Sequence, residues 1–333
     1  MIHENCASFL QNIAEEKDGF KFGSLIKSNE QALGFIIPIL QTKTLKRSYR
    51  LLEESKRVTI EDTGDINNVR FINKENSTIF IRSGTILMGK TQERATVGGV
   101  ILQPGEEQII EVNCVHASKP ISKGAAFHVS EYYAPRTVAT KLFAKNQSEV
   151  WNSIDAFTRE TVPRIRSLRS IGSSHRLDDL LQTMEEVDKS KERIDGLIRD
   201  IPPVDNQVGV VVFGLTGVVG FEVFDSTESW NALHKKVIEK YADVLSMGPE
   251  EILYELKEGA INQKMTEFID TILAAKLTRS HSTKNGNTYI LTGEKLVGEY
   301  SEINGEIIHV LAMKQDTPIN HGSAWGNRRF MLL

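Results

Sequence analysis

From residue 20 to about residue 135 the apolar runs are brief, and Gly, Asn, Asp or Pro separates each from the next. This cadence constrains the fold more than any other feature, because short runs punctuated by turn residues read as strands of an antiparallel unit. The runs are Gly23 to Lys27, Leu33 to Leu40, Val58 to Glu61, Asn68 to Asn73, Thr78 to Arg82, Gly99 to Leu102 and Gln108 to Val115. In the last of them Ile110, Val112 and Cys114 alternate with Ile109, Glu111 and Asn113, which puts Cys114 on the apolar face of its strand. Pro104-Gly105 is expected to turn two strands into a hairpin. Thr44 to Glu54 is expected as the one helical interruption, and a short leading helix is expected over residues 8 to 16.

Near residue 146 the pattern changes. Asn146 to Glu149 has the form of a capping box, and Val150, Trp151, Ile154 and Phe157 follow at helical spacing. A second apolar stripe runs from Leu177 to Ile201 and stops at Pro202-Pro203, the sharpest candidate boundary in the chain. Beyond it, Gln207 to Phe213 and Val218 to Phe224 flank Leu215-Thr216-Gly217 as a buried hairpin. Asp225 to Glu228 is expected to cap a helix carrying Trp230, Leu233, Val237 and Tyr241. Asn304-Gly305 between alternating strands signals a final hairpin. The fold class expected is therefore α+β: a β-rich unit over 1–145, a helical hairpin over 146–203, and hairpins with packed helices over 204–333 that share one core with the first unit or stand apart from it.

The 333 residues allow a sizeable core, while 40 basic against 44 acidic side chains give a net charge of -4 and deny the whole chain a field that would gather nucleic acid or anionic lipid. No apolar stretch is long enough to span a membrane, and the opening Met-Ile-His-Glu-Asn-Cys lacks the order of a signal peptide, so a cytoplasmic protein is expected. Two cysteines and 8 scattered histidines give neither a disulfide framework nor a zinc site. No metal and no cofactor is expected.

Three segments carry chemistry worth testing. Residues 84 to 91, Gly-Thr-Ile-Leu-Met-Gly-Lys-Thr, match the phosphate-loop pattern, in which Lys90 would reach the terminal phosphates and Thr91 a magnesium ion. That chemistry needs a helix to open after the lysine, and Gly98-Gly99 with no apolar stripe argues for a strand and a tight turn instead. Cys114 and His116 lie two apart, so a Cys-His nucleophile is conceivable, although the separation along a strand favours Cys114 as core packing and His116 as a half-buried surface residue. Arg159, Arg164, Arg166, Arg169 and Arg176 form a basic stretch that fits a nucleic-acid or protein-partner module, or a solvated, salt-bridged face. Finally, Gly89, Lys90, Gln92 and Arg94 present long polar donors beside glycine, a composition suited to an anionic or amide ligand and equally to a polar turn.

Gly84 to Arg94, Val100-Ile-Leu-Gln-Pro-Gly105 and Val112-Asn-Cys-Val115 together resemble the signature of the ADP-ribosylglycohydrolase- and rhodanese-phosphatase-associated protein domain family. Gly89, Gln92 and Arg94 match the first segment, where Lys90 stands at a second glycine. Cys114-Val115 matches the third, followed here by His116 in place of an acid. Further similarity runs through Tyr133-Ala-Pro135, Gly217-Val-Val-Gly220 and Trp230 to the last hairpin, about residues 20 to 315. The resemblance implies an accessory ligand-binding protein in ADP-ribose or NAD-derived metabolism, with an ADP-ribose-type or other anionic small molecule as partner and protein partners in reserve. It implies no catalytic residues. On this reading Gly89, Lys90, Gln92 and Arg94 line the ligand and Cys114 and His116 stand behind them. An NTPase built on residues 84–91 is the enzyme alternative.

Overall fold

The computed structural model describes residues 2–29, 32–43, 46–89, 93–116, 121–144, 146–166, 180, 181, 183, 184, 192–245 and 258–315. The first part of the chain comprises α1 (Glu4–Ala14), β1 (Phe20–Phe22), β2 (Phe35–Gln41), β3 (Arg50–Leu51), β4 (Val58–Asp62), β5 (Asn68–Asn73), β6 (Ile79–Ile81), β7 (Thr85–Gly89), β8 (Arg94–Thr96), β9 (Val100–Leu102), β10 (Glu107–Cys114) and β11 (Ala126–Tyr133). Helices α2 (Arg136–Leu142), α3 (Gln147–Arg166) and α4 (Glu192–Asp200) follow. The last part comprises β12 (Gln207–Gly214), β13 (Gly217–Phe224), α5 (Thr227–Lys240), α6 (Ala242–Leu245), α7 (Glu258–Leu273), β14 (Lys276–Ser282), β15 (Gly286–Thr292), β16 (Leu296–Ile303) and β17 (Glu306–Lys314). The fold is α+β, β-rich at the start and closing on β-hairpins.

Two β structures organise it. One is a closed barrel in the order β10-β5-β4-β11-β7-β8. Its strands alternate as a closed barrel requires: along β5, Val69, Phe71 and Asn73 are buried and the residues between them are not. Val69, Phe71, Leu87, Ile110, Val112 and Phe127 fill the interior, while Ile109 on the outer face of β10 is 62% exposed. The other is an antiparallel sheet in the order β1-β2-β12-β13-β17-β16-β15-β14. Its central strands β12 and β13 are buried along their whole length, because both faces are covered. Val210 and Val212 pack in one cluster with Trp230, Leu233 and Val237 of α5 and with Phe80 and Ile86 from the barrel side. Val211, Phe213 and Phe221 pack in a second with Leu10 of α1 and Met265 and Ile269 of α7. Continuous apolar runs in place of strict alternation follow from this double burial.

Strand β2 precedes the barrel and pairs with β12 beyond it, Ile37 lying opposite Val211. The large sheet thus takes strands from both sides of Pro202-Pro203, and one core cluster draws on residues from Ile36 to Met313.

Several expectations are corrected. The segment expected as a helix up to Glu54 is a two-residue strand, β3, followed by a single 3₁₀ turn over Leu52–Glu54. Tyr49 and Leu51 point into one core and Leu52 into another, which a regular helix could not achieve. Pro104-Gly105 is a turn, with Gly105 at φ +74, but it joins no hairpin: β9 pairs with β6, and β10 with β5 and β8. Gly23 to Lys27 holds only an isolated bridge from Ile26 to Ile36, the strand lying just before it as β1. At the start of α5 the cap is Ser226, whose hydroxyl accepts the Ser229 N–H. Asn304 and Gly305, at φ 53 and 82, form the expected tight turn between β16 and β17.

Candidate functional site

The short strand β8 brings the sequence-derived candidates together. Arg94 pairs with Leu87 of β7 on one side and with Cys114 of β10 on the other. Residues directly opposite one another share a sheet face, and Leu87 belongs to the barrel interior, so Arg94 and Cys114 lie on the inward face at one mouth of the barrel. Arg94 is fully buried. Burial pulls its guanidinium down from the ordinary arginine range, and the neighbouring Cys114, Asp62, Glu93 and Asp65 oppose that pull. Asp62, also buried, is held by the N–H groups of Gly64 (2.8 Å) and Ser122 (3.2 Å).

Cys114 is clamped through its backbone. Its N–H donates to Gln147 Oε1 at 2.9 Å, and Gln147 Nε2 donates back to its carbonyl at 2.8 Å, so an amide side chain from α3 does the work of a neighbouring strand. The thiol donates to the His116 carbonyl at 3.1 Å, and burial pushes it above the ordinary thiol range. His116 is buried rather than half-exposed, since its Nδ1 lies 2.8 Å from Glu93 Oε2. With the ring turned to Glu93 and the thiol to a carbonyl, the pair does not form a Cys-His nucleophile.

Gly89 closes β7, where a Cβ would come 2.7 Å from the Ala126 carbonyl oxygen; only glycine lets β11 approach so closely. Lys90, Thr91 and Gln92 lie outside the described residues. The phosphate-loop match fails on context: Gly84 turns at φ +75, residues 85–89 are a strand with Thr85, Ile86 and Leu87 buried, and the next described element is strand β8, not a helix. Of the basic stretch, Arg159 pairs with Asp155 one turn earlier at 2.9 Å, while Arg164 and Arg166 end α3 and Arg169 and Arg176 lie outside the described residues.

A family model for the ARG and Rhodanese-Phosphatase-superfamily-associated Protein domain matches residues 31–313. The chain belongs to this family. The matched span takes in the barrel and all of the large sheet except β1 and the end of β17. No curated protein and no solved structure matches the chain.

In this member of the ARG and Rhodanese-Phosphatase-superfamily-associated Protein domain family, the seam between barrel and sheet holds a second polar group of residues. Arg82, Glu222, Lys240, Glu299 and His309 are all buried there. Glu222 stands 2.7 Å from Arg82 Nε, 3.1 Å from Lys240 Nζ and 3.1 Å from His309 Nε2. Burial alone would raise the Glu222 carboxyl, but Arg82, Lys240 and His309 hold it well below the usual carboxylate range. Burial lowers Lys240 to about 8, Arg82 adding to the drop and Glu222 opposing it. Glu299 accepts the N–H groups of Gly99 (2.6 Å) and Ser83 (3.2 Å). Sequence reasoning passed over these residues because they sit in different elements. The available signal was an ionisable residue at a buried position of an apolar strand: Glu222 in β13, Glu299 in β16 and His309 in β17.

Among the described residues no group of three or more His, Cys, Asp or Glu side chains could hold a metal ion, and no helix is long and apolar enough to cross a membrane.

Proposed function

We propose that the protein is an accessory factor that binds an anionic small molecule of the ADP-ribose type at the barrel mouth, with Arg94 as the principal contact. The family name ties the domain to ADP-ribosylglycohydrolase-associated proteins, and an accessory role is consistent with that tie. The observation that carries the reading is Arg94 itself. A guanidinium buried at the end of a β-barrel, beside Cys114 and the Glu93–His116 pair, is a group whose planar donors suit phosphate or carboxylate oxygens. Gly89, Lys90 and Gln92 join the site through their nearness to Arg94 in the chain, and Cys114 supports the arginine from across the strand pair. A cytoplasmic setting belongs to the same reading, in keeping with two free thiols, Cys6 and Cys114.

A thermal-shift titration with ADP-ribose tests it. A ligand that binds only the folded state adds about 2.7 kcal/mol at one hundred times its dissociation constant. Saturable stabilisation that disappears in Arg94→Gln is expected; no stabilisation at millimolar ADP-ribose would defeat the reading.

A further inference from the structure

The seam between barrel and sheet contains donors that no described residue accepts. Arg82 is anchored through its backbone, its carbonyl taking the hydroxyls of Thr85 (2.7 Å) and Thr96 (2.9 Å). Its guanidinium lies over the Tyr133 ring, 4.2 Å from the ring centre, with Nε 2.7 Å from Glu222 Oε1. Both terminal nitrogens, Nη1 and Nη2, are buried and lack a hydrogen-bond partner among the described residues. The Tyr241 hydroxyl is in the same condition. It rests on β13 at Gly220, where a Cβ would meet it at 2.4 Å, and Glu222 is the next residue on that face of the strand. Lys240, fully buried, has Glu222 as an acceptor and carries three N–H donors.

The two carboxylates nearby are already engaged, while the buried Ser83 hydroxyl has no partner among the described residues. Both Glu222 oxygens have partners, Oε1 facing Arg82 and His309 and Oε2 facing Lys240. Both Glu299 oxygens take backbone N–H groups, and His309 Nδ1 lies a further 3.7 Å away. Arg82 and Lys240 are balanced in charge by Glu222 and Glu299, and the Arg82 terminal nitrogens and the Tyr241 hydroxyl still lack an acceptor among the described residues. Water fits this poorly, because each molecule would bring two protons of its own. An oxyanion, which has more acceptor than donor positions, fits better. Lys236 and Glu53, 3.7 Å apart and only partly exposed, flank Tyr133: Lys236 Nζ lies over the ring, 4.8 Å from its centre, and the Tyr133 hydroxyl donates to Glu53.

We propose that Arg82, Lys240 and Tyr241 form an internal binding site for one small oxyanion of the phosphate class. This site does not depend on Arg94.

Inorganic phosphate is the probe, used in two measurements on the full chain. The first titrates phosphate against sodium chloride at matched ionic strength and follows the melting temperature. The second assays phosphate released when extensively dialysed protein is acid-denatured, which detects anion carried through purification. A saturable rise with phosphate, or about one equivalent released per chain, is expected. Neither a rise nor release would overturn the site. Tyr241→Phe deletes the unpartnered hydroxyl, so it is expected to melt no lower than the parent without phosphate while binding phosphate about tenfold more weakly. A variant that melts lower without phosphate and keeps the parent's phosphate affinity would show the hydroxyl to be structural and count against the proposal. Arg94→Gln is expected to keep the phosphate response; its loss there would assign the response to the barrel mouth instead.

Discussion

Arg94 and Cys114 lie directly opposite one another on β8 and β10, on the face that lines the barrel mouth. That relationship bears on what the thiol can do. A guanidinium next to a cysteine ordinarily favours the thiolate. Here burial outweighs it, and the thiol spends its proton on the His116 carbonyl. Cys6, packed in the other core beneath α1, is pushed up by burial as well. Both thiols are therefore expected to resist a thiol reagent such as dithionitrobenzoate at neutral pH and to react together once denaturant is added. Prompt reaction of one thiol in the native protein would contradict this. Cys114→Ala should cost about 1–2 kcal/mol in urea unfolding, the scale of a small cavity in a packed interior.

Gln147 should matter more than its place at the start of a helix suggests. Its amide satisfies both backbone groups of Cys114, and Gln147→Ala would leave a buried N–H and a buried C=O without partners. A loss of about 1–3 kcal/mol is expected, with faster hydrogen exchange at the Cys114 amide as the local readout. Unchanged exchange at that amide would show that another group takes over the clamp.

The part of the fold that local chemistry dictates was legible in the sequence. Asn304-Gly305 announced its turn, the alternation through Ile110, Val112 and Cys114 announced which face of β10 is buried, and Pro202-Pro203 marked the end of the helical region. What escaped was decided by partners remote in the chain. Strand β8 has three residues, all buried, so neither length nor alternation marked it, and β11 carries polar residues along one face of a barrel wall. The β3 region looked helical because of Leu45, Tyr49, Leu51 and Leu52, yet Tyr49 and Leu51 serve one core and Leu52 another. At the candidate site the register partner of Arg94 was legible only as nearby motif residues, and the Glu93–His116 pair was not legible at all, since it depends on the β8–β10 register. The seam cluster needs β6, β13, α5, β16 and β17 to converge, a tertiary fact with no local signature beyond charged residues in apolar strands.

Glu222 is the residue on which that seam balances. Glu222→Gln would keep the volume but leave Arg82 and Lys240 buried without their counter-charge. Removing one partner of a buried ion pair typically costs about 3–5 kcal/mol, and that loss is expected in chemical denaturation at pH 7. A loss under about 1 kcal/mol would mean the cations find other partners.

Gly220 makes a steric prediction. A Cβ there would sit 2.4 Å from the Tyr241 ring and hydroxyl, and Tyr241 is fixed in the core behind α5. Gly220→Ala should therefore destabilise by several kcal/mol, on the order of an overpacked core site. The effect should shrink when Tyr241→Leu is added, which a double-mutant cycle would read as coupling. Additive losses would place the fault in the backbone of β13 rather than in the contact.

Asp225 gives the fold a pH dependence whose sign can be worked out. Its carboxyl is raised from 3.8 to about 6, chiefly by burial, against the opposing hydrogen bond from Tyr49. The Tyr49 hydroxyl donates to Oδ1 at 2.7 Å. Between pH 3.8 and 6 the folded chain holds this proton more often than the unfolded chain does, so from this group alone unfolding becomes easier as pH rises through that window. A shift of about two pH units corresponds to about 3 kcal/mol. Glu222, held low, acts in the opposite direction on acidification, so the parent's own profile mixes the two. The difference between parent and Asp225→Asn separates them, because an amide oxygen still accepts from Tyr49 while the charge is gone. Near pH 4 the two proteins should unfold at similar denaturant concentrations. By pH 7 the variant should be the more stable by up to about 3 kcal/mol. A variant less stable than the parent at pH 7 would mean that the ionised carboxylate is wanted where it stands, most directly by Arg47, whose charge lowers the same group.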